Sequence, residues 1–124
     1  MCSERPLILV VDDDADERDS ICALIALAGY RTAQAPDGAS ALRTLREGLL
    51  PSLIVLDMQM PVMSGAELMS ALAANDALRC LPIVIHSADQ PSARIIRNPQ
   101  VRRYVRKGTR PEAFLRVLED CRAV

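Results

Sequence analysis

The stretch Leu53-Ile54-Val55-Leu56-Asp57 is a run of four apolar residues closed by a carboxylate, set between Pro51-Ser52 and Met58-Gln59-Met60-Pro61. So short a run, rich in branched side chains and bounded by turn formers, reads as a strand covered on both faces. Strands of that kind belong to parallel sheets sandwiched between helices, and open sheets of this class bind ligands just beyond the carboxyl ends of their strands. Asp57 therefore stands where such a sheet does its chemistry. The pattern occurs twice: Leu7-Ile8-Leu9-Val10-Val11 runs into Asp12-Asp13-Asp14.

Helical signals separate the strand candidates. Asp14-Ala15-Asp16-Glu17 offers a capping box, and Ile21, Leu24, Ile25 and Ala28 follow at helical spacing up to a stop at Gly29. Arg31–Ala35 is a second strand, and Asp37-Gly38 opens a helix whose Leu42, Leu45 and Leu49 share a face, with Gly48 near its end. After the strand at 53–57, Ser64-Gly65-Ala66-Glu67 is another capping box, opening a helix with Leu68, Met69 and Leu72 inward. The methionines of 58–63 have no His or Cys beside them and are assigned to packing a turn rather than to copper. Pro82–Ser87 is a fourth strand, with proline tolerated at its first position. Pro91 and Pro99 leave room only for a short helix around Ala93–Arg97. Arg103–Lys107, interrupted by charge, is a fifth strand on an edge. Thr109-Arg110-Pro111-Glu112 then caps a helix with Phe114, Val117, Leu118 and Cys121 on one face.

Strands alternating with helices specify an α/β fold, a doubly wound five-stranded parallel sheet with right-handed crossovers and a short or irregular fourth helix. A chain of 124 residues, half of them apolar, is long enough for one such domain, 1–124, and too short for two. With no charged leader and no apolar span of about 20 residues, a cytoplasmic protein without membrane insertion is expected. Cys2, Cys22, Cys80 and Cys121 show no CxxC or Cys/His spacing and are expected as free thiols. Net charge is −1 but uneven: residues 1–93 hold 13 acids and 6 bases, 94–124 hold 3 acids and 9 bases. One Phe and two Tyr leave little on which to stack bases, so direct nucleic-acid binding is not expected. The basic stretch is either solvated surface or a docking face for an acidic protein, with Arg94, Arg97, Arg102, Arg103 and Arg106 as its candidate residues.

Parallel strands would gather Asp12, Asp13, Asp57, Ser87 and Lys107 at one edge of the sheet. Three carboxylates so close would repel one another and raise each other's pKa unless a cation joined them. Mg²⁺, which keeps waters, takes one or two carboxylates and completes its shell with phosphate oxygens, suits that set. A Lys107 ammonium opposite the metal would compensate the oxygens of a phosphoryl group, leaving a carboxylate as nucleophile and the Ser87 hydroxyl as donor. Asp14 and Asp16 have simpler work, as a helix cap and a first-turn acid. Lys107 is the sole lysine beside 14 arginines, so a compact ammonium stands where a guanidinium fork would crowd. His86, on the covered fourth strand, is expected to be half-buried and satisfied rather than a ligand.

These motifs, in order and across the whole chain, resemble the receiver domain of bacterial two-component response regulators, the CheY-like group with a flavodoxin-like fold. The resemblance rests on Ile8–Asp14, Asp57–Gly65, Pro82–Ala88 and Tyr104–Lys107. It implies strand order 2-1-3-4-5 and phosphorylation of Asp57 by a histidine kinase or histidine phosphotransfer protein. It also implies Mg²⁺ on Asp12, Asp13 or both, on Asp57 and on the backbone carbonyl of Gln59. Ser87 and Tyr104 match a hydroxyl and an aromatic that move together on phosphorylation, and Lys107 matches a phosphate-binding lysine. Gly108 stands where members commonly carry proline, so a cis peptide is not expected by analogy. Gln100-Val101-Arg102-Arg103 replaces the usual small residues, and the helix before it is short, on what is usually the partner surface. The leading expectation is a phosphoacceptor that signals to a downstream protein effector rather than a conventional enzyme. The alternative is a phosphorylation-independent docking module using residues 91–106. A magnesium phosphatase is disfavoured because the first strand lacks a DxDx[TV] arrangement.

Overall fold

The computed structural model describes residues 5–121, and Cys2 lies outside them. Five strands alternate with five helices: β1 (Leu7–Val11), α1 (Ala15–Leu27), β2 (Arg31–Ala35), α2 (Gly38–Arg46), β3 (Leu53–Leu56), α3 (Gly65–Ala73), β4 (Ile83–Ser87), α4 (Ala93–Ile96), β5 (Val101–Arg106) and α5 (Pro111–Cys121). The strands are all parallel, in the order β2-β1-β3-β4-β5.

Strand geometry divides the core in two. Leu9, Val11, Ile54, Leu56, Ile83 and Ile85 face one side and pack with Leu42 and Leu45 of α2 and Leu68, Met69 and Leu72 of α3. Their neighbours Ile8, Val10, Leu53, Val55 and Val84 face the other and meet Ile21, Cys22 and Ile25 of α1 and Phe114 and Leu118 of α5. This is why β1 and β3 read as unbroken apolar runs: alternate side chains enter different cores. Met60 is buried in the first core and Met58 and Met63 pack against it, so the methionines of the β3–α3 loop do pack a turn. Cys22, Cys80 and Cys121 are free thiols.

Several local expectations are corrected. β5 begins at Val101, two residues before the expected start, because Val101 pairs with Ile83 and the register then shifts to place Val84 beside Arg103. That irregularity lets Val101 and Tyr104, three residues apart, pack against the same core. Leu49 lies beyond α2, though it still packs against the first core. At Ser64 both halves of the capping box are present. At Asp14 only one half forms: its side chain accepts from Glu17 N at 3.1 Å, while its own N–H donates to Asp12 Oδ1. Thr109 does not cap α5; Pro111 takes the first helical position, where a missing N–H costs nothing, and the Thr109 hydroxyl donates back to the Arg106 carbonyl. The short α4 is a single turn capped by Ser92, as the flanking prolines required.

Candidate functional site

The sheet ladder continues one residue past three strands and fixes the site. Asp12 N–H donates to Ala35 O, Asp57 N–H to Val11 O and Lys107 N–H to Ser87 O, at 3.2, 3.0 and 3.0 Å. Each functional residue thus has its backbone held by the neighbouring strand while its side chain projects beyond the sheet. Gly65 lets the β3–α3 loop close tightly here, since a Cβ on it would lie 2.9 Å from Met58 Cα and 3.0 Å from Asp57 O. Gly108, with φ of +93°, turns the chain away directly after Lys107, and its peptide with Lys107 is trans.

Asp12, Asp13 and Asp57 each present a carboxylate oxygen within 4.8 Å of the others. Asp12 and Asp57 are 2% and 4% exposed, whereas Asp13 faces solvent. Asp12 Oδ1 accepts from Asp14 N–H at 2.9 Å, and Asp57 Oδ1 accepts from Gln59 N–H at 3.1 Å, so the outer oxygen of each is left to face the cleft. Lys107 Nζ fills that cleft, 3.3 Å from Asp12 Oδ2 and 3.2 Å from Asp57 Oδ2. It also lies 2.5 Å from Glu17 Oε1 on α1. Burial pushes the Asp12 carboxyl above its ordinary value, helped by the Asp57 charge and only partly offset by the Asp14 N–H and Lys107. Burial pulls the Lys107 ammonium the other way, but Glu17, Asp57 and Asp12 outweigh it and hold its pKa well above normal.

The structure therefore brings Asp12, Asp13, Asp57 and Lys107 together. Ser87, 1% exposed, ends β4 beside them, and its carbonyl accepts both Lys107 N–H and, at 3.3 Å, the Tyr104 hydroxyl. Gln59 is exposed at the rim. The five arginines of the basic stretch, all exposed, are spread over more than one surface: Arg94 and Arg97 line a groove between α3 and α4 with Glu67, Met69 and Ile95, whereas Arg103 lines one over α5 with Arg110 and Arg116. His86 is half-buried as expected but not satisfied. Its Nδ1 is buried with no hydrogen-bond partner among the described residues, its ring lies 5.1 Å from that of Phe114, and burial, with the nearby Lys107 charge, pushes its pKa down.

Three contributors escaped the sequence. Arg18 donates to the Asp12 carbonyl at 2.7 Å and to Gln34 at 2.9 Å, bracing the β1 end. Gln100, 5% exposed, donates its side-chain amide to Leu78 O and Leu81 O, tying the α3–β4 connection to the start of β5. Glu17 was absorbed by the capping-box pattern, which gave it a sufficient local role.

The donor set suits a hard divalent cation: three clustered carboxylates, two of them buried and one with a raised pKa, form a site that a cation would relieve.

Comparison with known proteins agrees with this geometry. The family model described as the response regulator receiver domain matches residues 8–119. The chain is 43% identical over 83 residues to the transcriptional regulatory protein PrrA of Mycobacterium tuberculosis, covering 67% of this chain and 34% of that protein. It is 34% identical over 96 residues to the DNA-binding response regulator MtrA of the same species, covering 77% and 40%. The chain thus spans about a third to two-fifths of the curated relatives it matches. Among solved structures, chemotaxis protein CheY4 of Vibrio cholerae superposes with a TM-score of 0.83 at 25% identity, over 94% of this chain and 98% of that one. A response regulator receiver protein from Pseudomonas putida gives 0.86 at 23% identity, over 96% and 99%. With sheet order, acidic cluster and lysine all in place over nearly its whole length, the chain belongs to the response regulator receiver family of two-component signalling.

Proposed function

We propose that this domain takes a phosphoryl group on Asp57 from a phosphohistidine of a histidine kinase or phosphotransfer protein and signals through contact with a downstream protein. The observation that carries the reading is the Lys107 ammonium held 3.2 Å from Asp57 Oδ2, with two further carboxylates alongside. A carboxylate oxygen of Asp57 attacks phosphorus, the phosphorus–nitrogen bond of the donor breaks, and the leaving imidazole takes a proton, giving an acyl phosphate on Asp57. Asp12, Asp13 and Asp57, with the Gln59 carbonyl, would hold Mg²⁺, which supplies charge neutralisation to the transferred group. Lys107 neutralises a second phosphoryl oxygen, and the Ser87 hydroxyl is the candidate donor to a third. Tyr104, already bonded to the Ser87 carbonyl, is placed to register a movement of Ser87 and pass it to the surface around α4 and β5. The same reading places the domain in the cytoplasm.

Intact mass after incubation with acetyl phosphate, with and without Mg²⁺, tests this. A Mg²⁺-dependent phosphoryl adduct that disappears in Asp57→Asn is expected. A folded wild-type protein that binds Mg²⁺ but forms no adduct would overturn the phosphoacceptor reading in favour of a constitutive docking module built on residues 91–106.

A further inference from the structure

The three carboxylates on Lys107 Nζ are of two kinds. Asp12 and Asp57, at 3.3 and 3.2 Å, belong to the cluster suited to a divalent cation. Glu17, at 2.5 Å, does not; it approaches from the first turn of α1. Nothing in local helix chemistry requires this. Glu67 occupies the same position in α3, three residues after its cap, and there the carboxylate closes on Ser64 N–H. In α1 the equivalent N–H of Asp14 is taken by Asp12 Oδ1, which leaves the Glu17 carboxylate free to reach Lys107.

We propose that Glu17 is a positioning residue for Lys107: it tethers the ammonium on the α1 side and so weakens its competition with a divalent cation for Asp12 and Asp57. The inference rests on the Mg²⁺ reading above. An ammonium and a metal ion that seek the same outer oxygens, Asp12 Oδ2 and Asp57 Oδ2, exclude one another to the extent that the ammonium has no other partner. Glu17 is that partner. When a cation draws the two aspartates away, Lys107 keeps its shortest contact and is not left unpaired in a partly buried cleft. Without Glu17 the whole charge of Lys107 falls on the two metal-binding carboxylates, and a cation must displace it from both. The Glu17 side chain is 41% exposed, so the effect is that of a partly solvated ion pair, about two- to fivefold in an equilibrium constant.

Lys107 is the sole lysine of the chain, so ¹³C-lysine labelling gives one side-chain signal from the site. Mg²⁺ binding would be measured by calorimetry for wild type, Glu17→Gln, Lys107→Gln and the double variant, with backbone amide spectra confirming the fold of each. Glu17→Gln is expected to shift the metal-free Lys107 signal and to weaken Mg²⁺ binding about two- to fivefold. In the Lys107→Gln background the same substitution is expected to change nothing. An equal loss in both backgrounds would show that Glu17 acts only as a distant charge and would overturn the proposal, as would an unmoved Lys107 signal. Wild type that binds no Mg²⁺ overturns this proposal together with the metal reading, whereas Mg²⁺ binding of unchanged affinity in Glu17→Gln overturns the tether alone.

Discussion

Lys107 reaches Asp57 across 50 positions of sequence, its ammonium 3.2 Å from Oδ2, because β5 and β3 both end at the same edge of the sheet on either side of β4. On the proposed function, that contact would give Lys107 two opposed roles, competing with a cation for Asp57 in the resting domain and compensating phosphoryl charge once a donor arrives. Lys107→Gln should therefore bind Mg²⁺ more tightly than wild type while forming the Asp57 adduct at least about tenfold more slowly, the order of loss expected when a preorganised donor to developing charge is removed. Calorimetry and the time course of intact mass check the two halves separately. Weaker Mg²⁺ binding in the variant would show that the ammonium does not contend for the metal carboxylates.

The raised Asp12 pKa makes a metal-free stability prediction. Because the folded value lies above the ordinary 3.8, the folded domain favours the protonated carboxyl. The contribution of Asp12 to stability is then fully present below the unfolded value and is lost as pH rises through the folded one. Thermal midpoints measured from pH 4 upward without divalent ions should show this loss in wild type and a smaller one in Asp12→Asn. Mg²⁺, by binding the folded state alone, should restore wild-type stability at neutral pH and do less for the variant. Equal pH slopes for the two proteins would mean that Asp12 is not the titrating group.

How far the sequence disclosed this site follows from the range of the forces involved. Strand ends were legible because burial on both faces demands unbroken apolar runs, and an acid that terminates such a run stands out, as Asp12 and Asp57 do. Gathering these acids with Lys107 needed only parallel topology. What stayed hidden depends on competition between partners. Asp14 N–H chooses Asp12 over Glu17 because β1 delivers Asp12 to it, and only the folded geometry shows that Glu17 is then free for Lys107. The bare Nδ1 of His86 was equally unreadable, since a histidine on a covered strand is ordinarily paired and the pattern says nothing of what faces it. Gln100, in a stretch notable for its arginines, had no periodicity to announce its burial.

His86 should be a stability liability. Its Nδ1 is buried without a partner among the described residues while its ring packs on Phe114, so an aromatic of similar shape without the nitrogen removes the desolvation cost and keeps the contact. His86→Phe is expected to stabilise the domain at pH 7.5 by about 1 kcal/mol, at the low end of the cost of an unsatisfied buried polar atom. A depressed histidine pKa contributes stability that is present above the unfolded value of 6.5 and is lost as pH falls through the folded one. Wild type should accordingly lose stability on acidification below about pH 6.5 by a component that His86→Phe lacks. Urea denaturation at a series of pH values would show it. Parallel pH profiles would mean that the imidazole is satisfied in solution.

Gln100 offers the complementary case, a buried polar side chain whose amide nitrogen is engaged. Its amide nitrogen donates to Leu78 O at 3.1 Å and Leu81 O at 2.9 Å, and its own N–H is capped by the Asn98 carboxamide oxygen at 2.8 Å. Two carbonyls from the segment entering β4 thus share one side-chain donor at the entrance to β5, and Leu78 O also accepts the Leu81 N–H. Gln100→Leu preserves most of the volume but takes the side-chain donor from both carbonyls, leaving Leu78 O with only the Leu81 N–H, at a cost of about 1 kcal/mol or more. Gln100→Glu should also destabilise, because a carboxylate has no hydrogen to give to either carbonyl. Neither change touches Asp57 or Lys107, which follow the carboxyl ends of β3 and β5, at the opposite edge of the sheet. The expected result is a lowered thermal midpoint with Mg²⁺ binding unchanged at a temperature where the variant is folded. Lost Mg²⁺ affinity in a folded variant would instead reveal that the β4–β5 entrance is mechanically coupled to the acidic cluster.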